Sequence, residues 1–250
     1  MRDVLRLAVG ADLEVFDAAG RTARARITAC DRKRVVLEIG PVVCPPPTGP
    51  RLTLASAIPR ASRADWMVEK LSELNTARFL PIVADRSVVV PHGRTRAMRW
   101  RRLAAESARQ CRRAGVMSVE DPVPFSALIG ALQAALSKTP PAAGLSDDLA
   151  ARPLFSADSP PVGAWFLSTD PTARPLIDAL ADGILDRAGE TVLIVGPEGD
   201  FSPAELDSLN RAGLTGLSLG TTILRTETAA VAAAAVFNAM ACRCRGKDRS

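Results

Sequence analysis

The sequence contains no tyrosine and one histidine, His92, and aromatic residues make up only 4% of its 250 positions. A single imidazole leaves almost no material for a Ser-His-Asp triad or a histidine-ligated metal, and His92, next to Pro91 in a basic stretch, reads as a surface residue. The cysteines Cys30, Cys44, Cys111, Cys242 and Cys244 are odd in number and form no C-x-x-C pair. A zinc site or disulfide framework is therefore disfavoured, reduced and mostly buried thiols are expected, and no metal is called for. Long apolar runs are also missing. The best candidate, 229–242, falls short of the ~18 residues of a membrane span and is interrupted by Asn238. Arg2, Asp3 and Arg6 stand where a secretory signal needs an apolar core, so a cytoplasmic location is expected.

Lysine is scarce too: Lys33, Lys70, Lys138 and Lys247 leave arginine to supply the other 28 of the 32 basic residues. Planar guanidinium forks suit a polyanion such as RNA, because they grip phosphate through paired hydrogen bonds and stack on bases. A GC-rich genome would also raise arginine, but it would spread the excess along the chain. Instead the net charge is +2 over residues 1–50, +9 over 51–113, −6 over 114–190 and 0 over 191–250. Localised positive charge is what phosphate recognition needs.

With 47% hydrophobic and 24% charged residues the chain can build a large core, as one substantial domain or one domain with a small appendage. Residues 1–40 read as short strands (13–16, 22–29 and 35–39) separated by turn-forming stretches. The run GPVVCPPPTGP at 40–50 can enter neither helix nor central strand, which places a domain boundary there and gives domains 1–48 and 51–250. Beyond it, short apolar runs at 52–57, 79–83, 116–119, 164–168, 192–195 and 214–219 alternate with helical periods. The helices are expected near 62–74 with Ser62 as cap, then at 96–112, 126–136, 173–187, 203–211 and 227–242. This alternation predicts an α/β fold with a mainly parallel sheet covered on both faces. Residues 138–161 read as an irregular surface insertion.

Two segments carry the chemistry, each just past the carboxyl end of an expected strand, where α/β domains hold ligands. In TVLIVGPEGDF, at 191–201, a buried strand gives way to Gly196, Pro197 and Gly199, whose backbone a ligand can approach closely, and Ser202–Pro203 then starts a helix. In LSLGTTILRTETA, at 217–229, Arg225 and Glu227 flank a helix start at which Thr226 is the expected cap. Neither segment contains G-x-G-x-x-G or a P-loop, so the usual nucleotide folds lack their physical basis.

Taken together, the segments resemble the RsmE family, bacterial methyltransferases of the SPOUT class that modify N3 of a uridine in small-subunit ribosomal RNA. The resemblance rests on GPEG at 196–199 followed by FSPAEL, and on LG at 219–220 followed by ILRTETA at 223–229. Fainter agreement runs through Lys70, Glu73, Leu74, Pro81, Arg86, Glu106, Gln110 and Arg113. It implies a SPOUT-type mainly parallel sheet with a C-terminal trefoil knot, a small PUA-like, RNA-binding β domain shortened by one or two strands, and a homodimer. It also implies S-adenosylmethionine, held by Leu167, Ser168, Val195, Gly196, Gly199, Leu219, Gly220, Ile223, Leu224 and Thr228.

Methyl transfer to a ring nitrogen requires the uracil anion to be favoured. Arg225 is the candidate to stabilise that charge and Glu227 to accept the proton or orient the arginine; the alternative for this pair is a structural ion pair. Arg86, Arg109, Arg112 and Arg113 are candidate RNA phosphate contacts. The chain departs from the family pattern at Thr222 (usually Arg), Asp200 and Asn75 (usually Gly), Arg109 (usually an acid) and Arg112 (usually small). Thr222 and Asp200 keep a second reading open, a SPOUT-like protein that binds RNA or the cofactor without turnover. A third is an unrelated nucleotide-using α/β enzyme.

Overall fold

In the computed structural model, the described residues are 8–17, 21–31, 34–43, 49–89, 94–111, 113, 115–136, 154–155, 160–186 and 189–247. The expectations for His92, Cys44 and Arg112, and most of the 138–161 insertion, lie outside them. Strands β1 (Asp12–Phe16), β2 (Thr22–Cys30) and β3 (Val35–Ile39) form an antiparallel sheet in that order. The period of two is visible in β2, where Ala23, Ala25 and Ile27 are buried and the intervening Arg24 and Arg26 are exposed. Arg26 forks onto the Asp12 carboxylate across the β1–β2 pair at 2.8 and 3.1 Å, which holds that carboxyl below the usual range.

The larger sheet is parallel throughout. Its elements in chain order are β4 (Pro50–Ala57), α1 (Ala61–Glu73), β5 (Arg78–Val83), α2 (Arg94–Gln110), β6 (Ser118–Val119), β7 (Val123–Pro124), α3 (Phe125–Leu136), β8 (Gly163–Leu167), β9 (Arg174–Pro175), α4 (Leu176–Ala181), β10 (Gly189–Val195), α5 (Pro203–Arg211), β11 (Thr215–Ser218) and α6 (Thr226–Lys247). The strand order is β6-β5-β4-β10-β8-β11-β9, with β7 also on β5. In β10, Val192 and Ile194 join one core with Leu128, Phe201 and Leu209 from the α3 and α5 side. Leu193 and Val195 join the other, with Met67, Leu71, Trp100 and Phe237 from α1, α2 and α6. Both faces are covered, so strand side chains of either parity are apolar. Helix α6 lies against the sheet through Ala229, Ala230, Ala233, Ala234 and Ala241, whose small side chains allow close approach.

Several boundaries differ from the sequence expectation. Helix α1 begins before Ser62, with Arg60 at the cap position and no side-chain cap. The helix expected over 173–187 is broken: Pro175, which lacks an N–H, ends β9, and α4 stops before Gly183, whose φ of 80° terminates the turn. Two-residue strands β7 and β9 were not expected, because each contains a proline. Cys111 and Cys242 are exposed rather than buried.

Helix α1 closes in a Schellman motif. Thr76 N–H donates to Leu71 O at 3.0 Å and Asn75 N–H to Ser72 O at 3.2 Å, with Asn75 at φ 59°. Asparagine suits this position, since it tolerates the left-handed region better than most residues. Arg113 completes the cap: its Nη1 donates to Ser72 O at 2.9 Å and to Thr76 O at 3.0 Å, and burial pushes its guanidinium below its ordinary value. Replacing Arg113 with Met removes the side-chain donor from both carbonyls and leaves Ser72 O only the Asn75 N–H; it is expected to lower stability by about 1–3 kcal/mol, read as a reduced midpoint in urea unfolding.

Candidate active site

Because all strands of the larger sheet run the same way, the segments leaving β4, β5, β8, β10 and β11 emerge on one rim. The loop 196–202, after β10, is the most tightly held. Ser202 and Glu205 form a reciprocal capping box at the start of α5, with Pro203 at its first position, as the sequence predicted. The box extends to the loop after β5: Ser202 Oγ donates to Asp85 Oδ2 at 2.6 Å, and Asp85 N–H donates to Glu205 Oε1 at 2.8 Å. From that same β5 loop, Arg86 Nη1 donates to Gly199 O at 2.9 Å. Gly196 follows the buried Val195, and a Cβ on it would lie 3.0 Å from the Phe201 ring, which would have to give by a few tenths of an ångström, so glycine eases the close approach of the loop to that ring.

Asp200 bridges two loops. Its backbone has φ 62°, its Oδ1 accepts the Phe201 N–H at 2.8 Å, and its Oδ2 accepts Thr169 Oγ1 at 2.8 Å. Thr169 belongs to the loop after β8 that contains Ser168. In that loop Ser168 N–H donates to Leu217 O at 2.9 Å, and the Thr172 hydroxyl and amide hold the Asp170 carboxyl below its usual range. Leu167 ends β8 opposite Leu217 of β11.

The 219–225 loop returns the chain from β11 to α6, which packs against α1, β4 and β10. Leu219 is half-buried, whereas Gly220, Thr221, Thr222, Ile223, Leu224 and Arg225 are exposed, Ile223 at 81%. Among the described residues, none of the amides from Gly220 to Arg225 donates to another main-chain group. Helix α6 starts at Thr226, one residue before the expected boundary. Thr226 is therefore not its cap; the cap position falls to Arg225, whose carbonyl accepts Ala229 N–H at 2.8 Å. The Thr226 hydroxyl, buried, instead donates to Gly196 O at 3.1 Å and joins the two motif segments. Thr228 is exposed on the first turn.

A cleft of about 460 Å³ opens between these loops and the start of α1, lined by Arg60, Arg63, Glu198, Ile223, Leu224 and Arg225. Glu227 is only 7% exposed; its Oε1 is 3.5 Å from Arg63 Nε, and its Oε2 has no partner among the described residues. An unpartnered buried carboxylate oxygen beside a cationic cleft is equipped to accept a hydrogen bond or a proton.

The structure thus gathers Val195, Gly196, Gly199, Leu219, Gly220, Ile223, Leu224, Arg225 and Glu227 around one rim, with Leu167 and Ser168 in the adjoining loop. Of the four arginines expected on RNA, the three that are described, Arg86, Arg109 and Arg113, are not gathered. Arg86 is engaged with Gly199 at the rim, while Arg113 is turned inward at the far end of α1, roughly 20 Å along a 13-residue helix. Arg109 is exposed in the last turn of α2. Arg60 and Arg63 were missed, since 133 positions separate Arg63 from Gly196 and its neighbourhood shows no motif. The available signal was the +9 excess between 51 and 113.

The Asp200 geometry separates two effects of substitution. Asp200→Gly loses the bonds from Thr169 and from the Phe201 amide but relaxes the backbone, and should stay within about 1 kcal/mol of the parent. Asp200→Val loses both bonds and must hold a β-branched residue at positive φ, and should cost about 2–3 kcal/mol, both measured by urea unfolding.

Residues 46–151 and 157–238 match the model of the RNA methyltransferase domain. The ribosomal RNA small subunit methyltransferase E of Mycobacterium bovis is 29% identical over 233 residues, covering 92% of this chain and 79% of that protein. The protein of the same name from Synechocystis sp. is 26% identical over 245 residues, covering 96% and 70%. Among solved structures, the ribosomal RNA small subunit methyltransferase E from Neisseria gonorrhoeae bound to S-adenosyl methionine aligns with a TM-score of 0.71 at 24% identity, covering 96% of this chain and 87% of that one. A family model that spans most of the chain, over a rim that joins both of its motif segments, establishes that this protein belongs to the RNA methyltransferase domain family.

Proposed function

We propose that this protein methylates N3 of a uridine in small-subunit ribosomal RNA, using S-adenosylmethionine, in the cytoplasm. The observation that carries the reading is the exposed Arg225 lining the cleft two residues before Glu227, whose buried carboxylate lies 3.5 Å from the cleft-lining Arg63 and has, among the described residues, one oxygen without a partner. The names of the similar proteins supply the substrate class.

The rim suits the methyl donor. Among the described residues the 220–225 amides have no main-chain partners, and a Cβ at Gly220 would meet nothing within 4 Å, so backbone groups are available on an open surface. Leu167, Ser168, Val195, Gly196, Gly199, Leu219, Gly220, Ile223, Leu224 and Thr228 would hold it. When bound, S-adenosylmethionine supplies a methyl carbon that leaves sulfur with the bonding electrons remaining there, while the N3 electron pair makes the new bond. Arg225 stabilises negative charge on the uracil carbonyl as N3 loses its proton, and Glu227 Oε2 receives that proton. The loops held by Asp85, Arg86 and Thr226 fix where the base can sit, and orientation lowers the barrier further.

Thr222 does not leave the cleft without charge. Arg60, Arg63 and Arg225 line it against Glu198, which favours turnover over mere binding. The chain path from β11 back to β10 and β4 is consistent with the trefoil knot of the resemblance. The small antiparallel sheet is read as a PUA-like, RNA-binding domain over 1–48 beside a methyltransferase domain over 51–250, in a homodimer. Arg109 supplies an exposed phosphate contact, while Arg86 and Arg113 act first as internal donors.

Calorimetry with S-adenosylmethionine, followed by methyl transfer to small subunits lacking the modification, tests the reading: binding without product overturns it. Arg225→Met should lower kcat by about 10²–10³-fold while leaving donor affinity within about twofold. Arg109→Ala should weaken RNA binding and reduce the magnitude of the slope of log K against log salt by about 1, whereas Arg113→Met should leave that slope unchanged.

A further inference from the structure

Arg63, near the start of α1, touches two carboxylates that belong to different segments. Its Nη1 is 3.3 Å from Glu198 Oε1, in the loop after β10, and its Nε is 3.5 Å from Glu227 Oε1, in the first turn of α6. The two acids differ in surroundings: Glu198 is exposed, while Glu227 is buried, and among the described residues Arg63 is the cation within 4 Å of it. A buried carboxylate needs a partner, and a planar guanidinium with several fixed N–H directions can serve two acceptors at once, which a lysine ammonium does without fixed directions. The contacts are long and Arg63 is half-buried, so the pair contributes orientation more than stability.

We propose that Arg63 is a positioning residue for methyl transfer: held between Glu198 and Glu227, it occupies Glu227 Oε1 and so turns the unpartnered Oε2 toward the base. The inference rests on the reading of Glu227 as proton acceptor. It also gives the 51–113 cationic segment a role in the chemistry, separate from phosphate binding. Arg63 need not touch the base or the methyl donor; it acts through the carboxylate.

A double-substitution cycle on the full chain tests this, with kcat and KM measured on small ribosomal subunits for Glu227→Gln, Arg63→Gln, the double variant and Arg63→Lys. Donor affinity by calorimetry and melting temperature accompany each. Glu227→Gln should lower kcat about 10²-fold and Arg63→Gln about 10- to 10²-fold, with donor affinity within about twofold of the parent. Because Arg63 acts through Glu227, the double variant should be no slower than Glu227→Gln within about threefold, and Arg63→Lys should recover part of the lost kcat. Losses that multiply, or a defect confined to KM for the subunit, overturn the proposal, since they mark an independent role or a phosphate contact. If Arg63→Gln fails to fold, Arg63→Lys carries the same cycle, and its loss must vanish in the Glu227→Gln background. A Glu227→Gln enzyme with unchanged kcat would overturn the Glu227 reading itself and the Arg63 proposal with it. A slow Glu227→Gln beside an unimpaired Arg63→Gln would overturn the Arg63 proposal alone.

Discussion

The placement of β10 between β4 and β8 is the constraint on which the rest depends. A parallel strand hydrogen-bonded on both sides and covered on both faces can accept only apolar or small side chains. Its five terminal residues, Thr191 to Val195, are all buried. Once it is set there, its carboxyl end must open onto the same rim as those of β4, β8 and β11. The loop that follows then meets the start of α1, the β5 loop and the first residue of α6. The hydrogen bond from Thr226 to Gly196, buried and 30 residues apart in sequence, closes this arrangement.

Charge at the rim follows from the same convergence. Three arginines reach the cleft from two segments beside the exposed Glu198, and one of them, Arg63, also lies 3.5 Å from the buried Glu227. Neither Asp200 nor Thr222 leaves a gap. Asp200 adopts a left-handed backbone, which favours glycine, and spends its carboxylate on Thr169 and on the Phe201 amide. Thr222 lies in a loop whose flank is already cationic through Arg60 and Arg63. Residue type alone would have suggested a damaged site at both positions.

Much of the architecture was legible because apolar periodicity is a local signal. The strands at 52–57, 79–83 and 192–195 and the helix at 203–211 were found where apolar runs and a Ser-Pro start agree. The helix expected over 173–187 failed because its spacing looked helical while Pro175 and Gly183 set its true limits. Strands β7 and β9 were invisible, since two residues ending in proline have no period to read. Of the arginines, the sequence could say that they were concentrated. It could not say that Arg113 would turn inward to carbonyls at the end of α1, because that depends on how α1 and α2 pack.

What the sequence by itself determined is the α/β class, the two ligand-holding bends with their glycines, and the presence of Arg225 and Glu227 side by side at a helix start; these are written in contiguous residues. Tertiary structure alone decided that Glu227 is buried with one oxygen unpartnered among the described residues, that Arg63 faces it, and that Thr226 bonds to Gly196 rather than capping its own helix. Burial and pairing are properties of chain segments far apart in sequence, and they exist only once the sheet has brought those segments to one rim.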